Sequence, residues 1–317
     1  MIPGATAGII ETNGVRLEIA EAGSGPLVVL LHGFPELAYS WRHQFAPLAE
    51  AGFHVVAPNQ RGYGGSSRPE PIEAYSVENL AADVAGVIRH FGAPAVVIGH
   101  DWGAPVAWHT ALRYPDLVRA VGSLSVPHAA RAPRPPLELM RAAAGPDHVH
   151  YIDYFQQPGV AEAEFEADIH ASISGFVWSI GGDAPREERF RPIPKGRRFI
   201  ESFAPPATLP PWFTSDDLAV YATAFRESGF RGGLNWYRNV NRNWEDSVDL
   251  AGARVLQPAM FVTGSRDPAR NPAAIERLRD VVPNLRLSEV LEGCGHWTQQ
   301  ERPREVTALM KTFLLGL

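Results

Sequence analysis

The sequence predicts an α/β fold with a mostly parallel sheet, interrupted once by a helical insertion. Three observations lead there. Short apolar runs of strand character alternate with longer stretches of helical periodicity. The alternation stops after Ser125-Val126-Pro127 and resumes at Ala259. One apolar run ends in Gly99-His100-Asp101-Trp102-Gly103, the sharp strand-to-helix turn that exposes a nucleophile at the top of a sheet. With 317 residues, 45 % of them hydrophobic, the chain can bury one large α/β core and carry an insertion.

Arg16 to Glu21 alternates like an edge strand. Leu27 to Leu31, His54 to Pro58, Ala95 to Gly99 and Ala120 to Ser125 are short apolar runs typical of parallel strands covered on both faces. Between them Val77, Leu80, Ala81, Val84, Val87, Ile88 and Phe91 recur at helical spacing. Strand and helix in turn imply right-handed βαβ crossovers. Residues 129–246 are rich in Pro, aromatic and charged residues and carry no clear strand signal. Pro133, Pro135 and Pro136 mark the way in; Ala161 to Ala171 and Asp216 to Glu227 read as helices. The strand rhythm returns at Ala259 to Thr263, followed by a helix from Pro272 to Val282 and a strand from Arg286 to Leu291. A last helix places Val306, Leu309, Met310, Phe313 and Leu314 on one face. The expected organisation is a core in two parts, 1–128 and 247–317, around a helical cap at 129–246.

Charge excludes some functions. The net charge is -6, with no basic footprint for nucleic acid and no cationic cluster for a membrane surface. Lys195-Gly196-Arg197-Arg198 is short and reads as a solvated turn. No apolar run approaches the ~20 residues that span a bilayer, and Met1 to Ala5 shows no signal-peptide pattern. The single cysteine, Cys294, cannot form a disulfide within the chain, which fits a reducing cytoplasm. With no second thiol it reads as a buried bystander.

The chemistry centres on Asp101. The glycines around it relieve a cramped turn. A carboxylate at that tip can displace a leaving group at a saturated carbon and form an ester, which water must then cleave. On such a sheet the order of groups is nucleophile, acid, histidine. Asp267, in Thr263-Gly264-Ser265-Arg266-Asp267-Pro268, and His296, in Gly293-Cys294-Gly295-His296-Trp297, follow in that order. Both stand in loops at strand C-terminal ends, where open α/β sheets hold their ligands. Alone, Asp267 reads as a turn residue and His296 as one of 11 histidines; together the three form a strong signal. Leu31-His32-Gly33-Phe34-Pro35-Glu36 follows the first buried strand, so the backbone N–H of Phe34 and that of Trp102 can form an oxyanion hole. The glycine-rich Gln60 to Ser67 lacks the Gly-Lys-Ser/Thr ending of a phosphate loop. His148 and His150 have no third ligand nearby and read as a surface pair, so no metal or cofactor is expected.

The chain resembles the α/β-hydrolase-fold epoxide hydrolases, including the C-terminal domain of the soluble vertebrate enzyme and bacterial, especially actinobacterial, relatives. The residues that carry the resemblance are His32-Gly33-Phe34-Pro35-Glu36, Gly99-His100-Asp101-Trp102-Gly103, Tyr154-Phe155-Gln156-Gln157-Pro158-Gly159, Gly233-Leu234-Asn235-Trp236-Tyr237-Arg238-Asn239 and Gly295-His296-Trp297-Thr298-Gln299. It implies an α/β-hydrolase fold with an inserted lid and two lid tyrosines facing the nucleophile, at Tyr151 and Tyr237. It also implies a substrate pocket at Phe34, Trp102 and Ile152. After the first lid tyrosine the vertebrate enzyme often has glutamine, and this chain has Ile152.

The implied activity is hydrolysis of a small apolar epoxide to a vicinal diol, without metal, nucleic acid or membrane. Two rivals stay open on residues alone. A haloalkane or haloacid dehalogenase shares the aspartate, acid and histidine, but needs halide donors rather than paired tyrosines. A non-catalytic ligand-binding protein can share the fold. The cap's aromatic content suits an apolar ligand. The assembly state is open, a homodimer among the options.

Overall fold

A two-residue turn at Asn13-Gly14 starts the sheet. Both residues have positive φ, 46° and 72°, the backbone that a tight hairpin needs and that Asn-Gly supplies. The protein's structure, a computed structural model, describes residues 2–317. The hairpin joins β1 (Thr6–Thr12) to β2 (Val15–Ala22), which also pairs with β4 (His54–Pro58), both antiparallel. The expectation of an edge strand at Arg16 to Glu21 is therefore corrected: β1 is the edge, and β2 lies one strand in.

The remaining strands are parallel: β3 (Leu27–Leu31), β5 (Ala95–His100), β6 (Val118–Leu124), β9 (Ala259–Gly264) and β10 (Leu285–Leu291). The order across the sheet is β1-β2-β4-β3-β5-β6-β9-β10. Strands β3 and β5 are buried throughout because helices cover both faces. Val28, Leu30, Val96 and Ile98 share a core with α1 (Arg42–Glu50) and α14 (Pro303–Leu315). Val29, Leu31 and Val97 share the other with α2 (Val77–Phe91) and α3 (Gly103–Arg113). Helix α2 has clear stops: Ser76 Oγ accepts the Asn79 N–H, and Gly92 closes it at φ 72°.

Between β6 and β9 the chain leaves the sheet. It forms α4 (Pro136–Ala144), α5 (Tyr151–Tyr154), α6 (Val160–Ala167), α7 (Ile169–Ile180), α8 (Ser215–Ser228), α9 (Arg231–Arg238) and α10 (Val240–Asp246). Two short strands, β7 (His148–Val149) and β8 (Ile193–Pro194), pair antiparallel within this stretch. The single helix expected over Ala161 to Ala171 is two. Asp168 breaks it, because its side chain accepts the Ala171 N–H at 3.0 Å and caps a new helix. The helix expected from Pro272 to Val282 is also two, α11 (Pro272–Glu276) and α12 (Leu278–Val281). Among the described residues no helix is long and apolar enough to cross a membrane.

The inserted helices are tied to the sheet by hydrogen bonds and a buried ion pair. Trp297 Nε1 donates to the Val177 carbonyl at 2.8 Å, and Trp236 Nε1 to the Arg61 carbonyl at 3.2 Å. Arg42 Nε lies 2.9 Å from Asp217 Oδ1, and Asp217 in turn closes a capping box with Thr214 at the start of α8. These ties hold the insertion over the C-terminal ends of the strands.

Candidate active site

Asp101 follows β5 in the left-handed region, at φ 50°, where a non-glycine residue is uncommon. The turn has no room for flanking side chains. A Cβ on Gly99 would lie 1.9 Å from the Gly103 carbonyl oxygen, and one on Gly103 would lie 2.3 Å from that of Leu31. Helix α3 starts at Gly103, so the carboxylate stands between a strand end and a helix start. Its two oxygens face different groups. Oδ1 accepts the Phe34 backbone N–H at 2.7 Å, whereas Oδ2 lies 3.5 Å from His296 Nε2.

The far side of the His296 ring meets Asp267, with Nδ1 to Oδ1 at 3.0 Å. Burial alone would lower the pKa of His296, but the charges of Asp267 and Asp101 raise it well above the ordinary histidine value. Asp267 is buried too, which would raise its carboxyl; the His296 charge and the N–H groups around it hold it below the usual range. One of those N–H groups is Ala269's, at 2.8 Å from Oδ1.

Tyr151 opens α5 and Tyr237 lies in α9, with ring centroids 5.9 Å apart. Both line a cavity of about 90 Å³ together with Asp101 and His296. Phe34, Phe176, Ile180 and Phe190 form its walls; Pro268 and Ala269, both exposed, form its mouth. Burial, then the Asp101 charge, pushes both phenols above the ordinary tyrosine pKa, so both remain protonated donors.

Asp101, His296, Asp267, Tyr151, Tyr237 and Phe34 thus meet at one cavity. Trp102 and Ile152 are not on its lining. The Trp102 ring stands behind Tyr237, centroids 5.2 Å apart. Ile152 is buried in the hydrophobic core. Successive helical residues point about 100° apart, at 3.6 per turn, so with Tyr151 turned to the cavity its neighbour turns away. His150, read as half of a surface pair, instead accepts the Ile152 N–H at 3.2 Å and caps α5. Among the described residues no group of three or more His, Cys, Asp or Glu could hold a metal.

Beneath the site lies a polar network that the sequence reading missed. Glu36 Oε2 accepts the Gly33 N–H at 2.9 Å and meets His100 Nδ1 at 2.7 Å. Its Oε1 accepts from Gln299 at 3.0 Å and Gln300 at 3.2 Å. His100 Nε2 meets the His296 carbonyl at 2.8 Å. Burial opposes the Glu36 charge, but His100 and the Gly33 N–H prevail and hold its pKa down at about 2. The network joins the Phe34 turn, the Asp101 elbow and the His296 loop. Phe190 was missed as well, since it lies in an unpatterned stretch ahead of β8.

Residues 26–159 match the family model for the alpha/beta hydrolase fold. Over 318 residues the chain is 46 % identical to Epoxide hydrolase A of Mycobacterium tuberculosis, covering 98 % of each. It is 40 % identical over 303 residues to Bifunctional epoxide hydrolase 2 of Sus scrofa, covering 95 % of this chain and 53 % of that one. Among solved structures, Epoxide Hydrolase A from Mycobacterium thermoresistibile superposes with a TM-score of 0.94 at 48 % identity, covering 99 % of each chain. An epoxide hydrolase from an endophytic Streptomyces gives 0.96 at 43 % identity, covering 99 % of this chain and 96 % of that one.

Proposed function

The chain belongs to the epoxide hydrolases of the α/β-hydrolase fold, and from that premise we propose how its residues turn an epoxide and water into a vicinal diol. The observation that carries the proposal is the division of labour between the two Asp101 oxygens: Oδ1 on the Phe34 N–H, Oδ2 free to face substrate and His296. In the first step Tyr151 and Tyr237 hydrogen-bond the epoxide oxygen. Asp101 Oδ2 attacks a ring carbon, and the carbon–oxygen bond it replaces breaks. An alkoxide is a poor leaving group in an apolar pocket, so preorganised donors matter most there. One phenol gives its proton to that oxygen, leaving an alkyl ester on Asp101.

In the second step His296, oriented by Asp267, takes a proton from water. The hydroxide adds to the Asp101 carbonyl carbon, and the Phe34 and Trp102 N–H groups hold the oxyanion. Collapse expels the second oxygen of the diol. The two protons of the water restore the tyrosine and complete that hydroxyl. The charge of Asp101 helps to raise the pKa of His296 in the resting enzyme. Esterification removes that charge and so lowers the pKa, which favours the neutral His296 that the base step needs.

In this reading residues 129–246 are a cap over a core made of 1–128 and 247–317. The substrate is a small apolar epoxide, because Asp101 and His296 are the only ionic side chains among the residues lining the cavity. The enzyme acts in the cytoplasm, which a single cysteine fits. None of the steps calls for a metal or an organic cofactor. Paired phenols suit a developing alkoxide rather than a departing halide, which favours the epoxide over the dehalogenase reading.

The origin of the new diol oxygen tests the mechanism. With enzyme in excess in ¹⁸O-water, the first turnover should give unlabelled diol, and label should enter the Asp101 side chain. Fully labelled first diol with unlabelled Asp101 would refute the ester and leave epoxide hydrolysis standing.

A further inference from the structure

We propose that Glu301 is a positioning residue for ester hydrolysis: its carboxylate grips the backbone on both sides of His296 and ties it to the cap. The inference rests on the two-step mechanism above. Glu301 ends α13 (Thr298–Glu301) and is only 5 % exposed. Its Oε2 accepts the Gly295 N–H at 2.7 Å and the Gly182 N–H at 3.0 Å. Its Oε1 accepts the Trp297 N–H at 3.0 Å. Gly295 and Trp297 flank His296. Gly182 belongs to the cap, two residues past Ile180, which lines the cavity and accepts the His296 N–H at 3.0 Å.

The two segments touch backbone to backbone. A Cβ on Gly295 would lie 2.2 Å from the Gly182 nitrogen, and one on Gly182 would lie 2.4 Å from the Gly293 carbonyl oxygen. N–H groups buried at such a contact need acceptors. One carboxylate has enough lone pairs for all three. Among the described residues no cationic side chain pairs with Glu301; its carboxylate accepts the three backbone N–H groups, with the Cys294 thiol also against it. An amide could not replace it. Glutamine offers one acceptor oxygen, and its NH₂ would face an N–H in either orientation, so one or two of the three bonds are lost.

The catalytic consequence is confined to one step. A carboxylate nucleophile needs no base, so alkylation of Asp101 does not depend on where the His296 ring points. Water activation does. The ring sits between Asp267 at 3.0 Å and Asp101 at 3.5 Å, and the grip on Gly295 and Trp297 sets its direction. A mere latch between cap and core would act differently. Loosening it would also disturb the cap tyrosines and slow both steps together.

The full-length wild type, Glu301→Gln, Glu301→Asp and His296→Gln are each mixed with styrene oxide. Alkylation and hydrolysis rate constants are read by stopped-flow tryptophan fluorescence, and the ester by quenched intact mass. In Glu301→Gln, hydrolysis should fall ~10–100-fold, the scale of a small catalytic misplacement. Alkylation should stay within about threefold, so the ester accumulates. Glu301→Asp, with a shorter carboxylate that keeps its acceptors, should recover part of the hydrolysis rate. Unchanged hydrolysis in folded Glu301→Gln, or an equal fall in both steps, would overturn the proposal. If Glu301→Gln does not fold, Glu301→Asp decides by the same split. Absence of ester even in His296→Gln would overturn the covalent mechanism itself, and the proposal with it.

Discussion

Removing the cap phenols should stop the chemistry at ring opening. Tyr237→Phe deletes one hydroxyl and little else. The ring is wedged edge-on against Phe34, Trp102 and Phe155, with centroids at 5.4, 5.2 and 5.1 Å, so phenylalanine keeps the packing. The side chain is buried at 4 % exposure, which leaves little access for water to replace the lost donor. A preorganised donor aimed at developing charge is worth ~2.7–4 kcal/mol, or 10²–10³ in rate. Tyr151, its ring centroid 5.9 Å from that of Tyr237, can still donate. Each single variant should therefore lose about 100-fold in the alkylation rate constant, the low end of that range. Without either donor the alkoxide would form bare in an apolar cavity, so Tyr151→Phe/Tyr237→Phe should be close to inactive. The assay is single-turnover alkylation on an aryl epoxide, with a denaturation midpoint to show that the fold persists. Wild-type turnover by the double variant would refute the role of the phenols. A loss in ester hydrolysis alone would refute it too.

His296→Gln should still be alkylated, and peptide mapping should find one substrate mass on Asp101; a folded, substrate-binding variant that stays unmodified would contradict the assignment. The acid limb of kcat should titrate lower than His296 itself in the resting enzyme, because the ester no longer carries the Asp101 charge that raises it. Activity is thus lost as pH falls through the ester-state value. NMR titration of free His296 against the kcat profile checks this, and coincident values would sink the charge argument. Gly103→Ala should cost ~2 kcal/mol or more by overpacking, since its Cβ meets the carbonyl oxygens of Leu31 at 2.3 Å and His32 at 2.8 Å. An unchanged urea midpoint would show that the elbow can relax.

What is legible in the sequence is what depends on near neighbours. The elbow needs only Gly99, Asp101 and Gly103, and their spacing reports a strained turn directly. The strand and helix rhythm is equally local, since burial of one face imposes its own period. The Asn13-Gly14 hairpin was legible by the same logic, and its oversight put the edge one strand too far in. Asp267 and His296 could be read as positions in an order, but their meeting depends on β6, β9 and β10 lying side by side. Tyr151 and Tyr237 came from resemblance; no local pattern separates a phenol that lines a cavity from a core aromatic. Only the tertiary structure decided the rest. It turned Ile152 inward as Tyr151 turned to the cavity, and it set that cavity at about 90 Å³ between walls drawn from the sheet's loops and the inserted helices. It also joined Glu36 to Gln299 and Glu301 to Gly182, partners 263 and 119 residues apart. A sequence displays a buried polar group without its acceptor or donor. The need for a partner is local, but its identity is fixed only when distant backbone is brought within hydrogen-bonding reach.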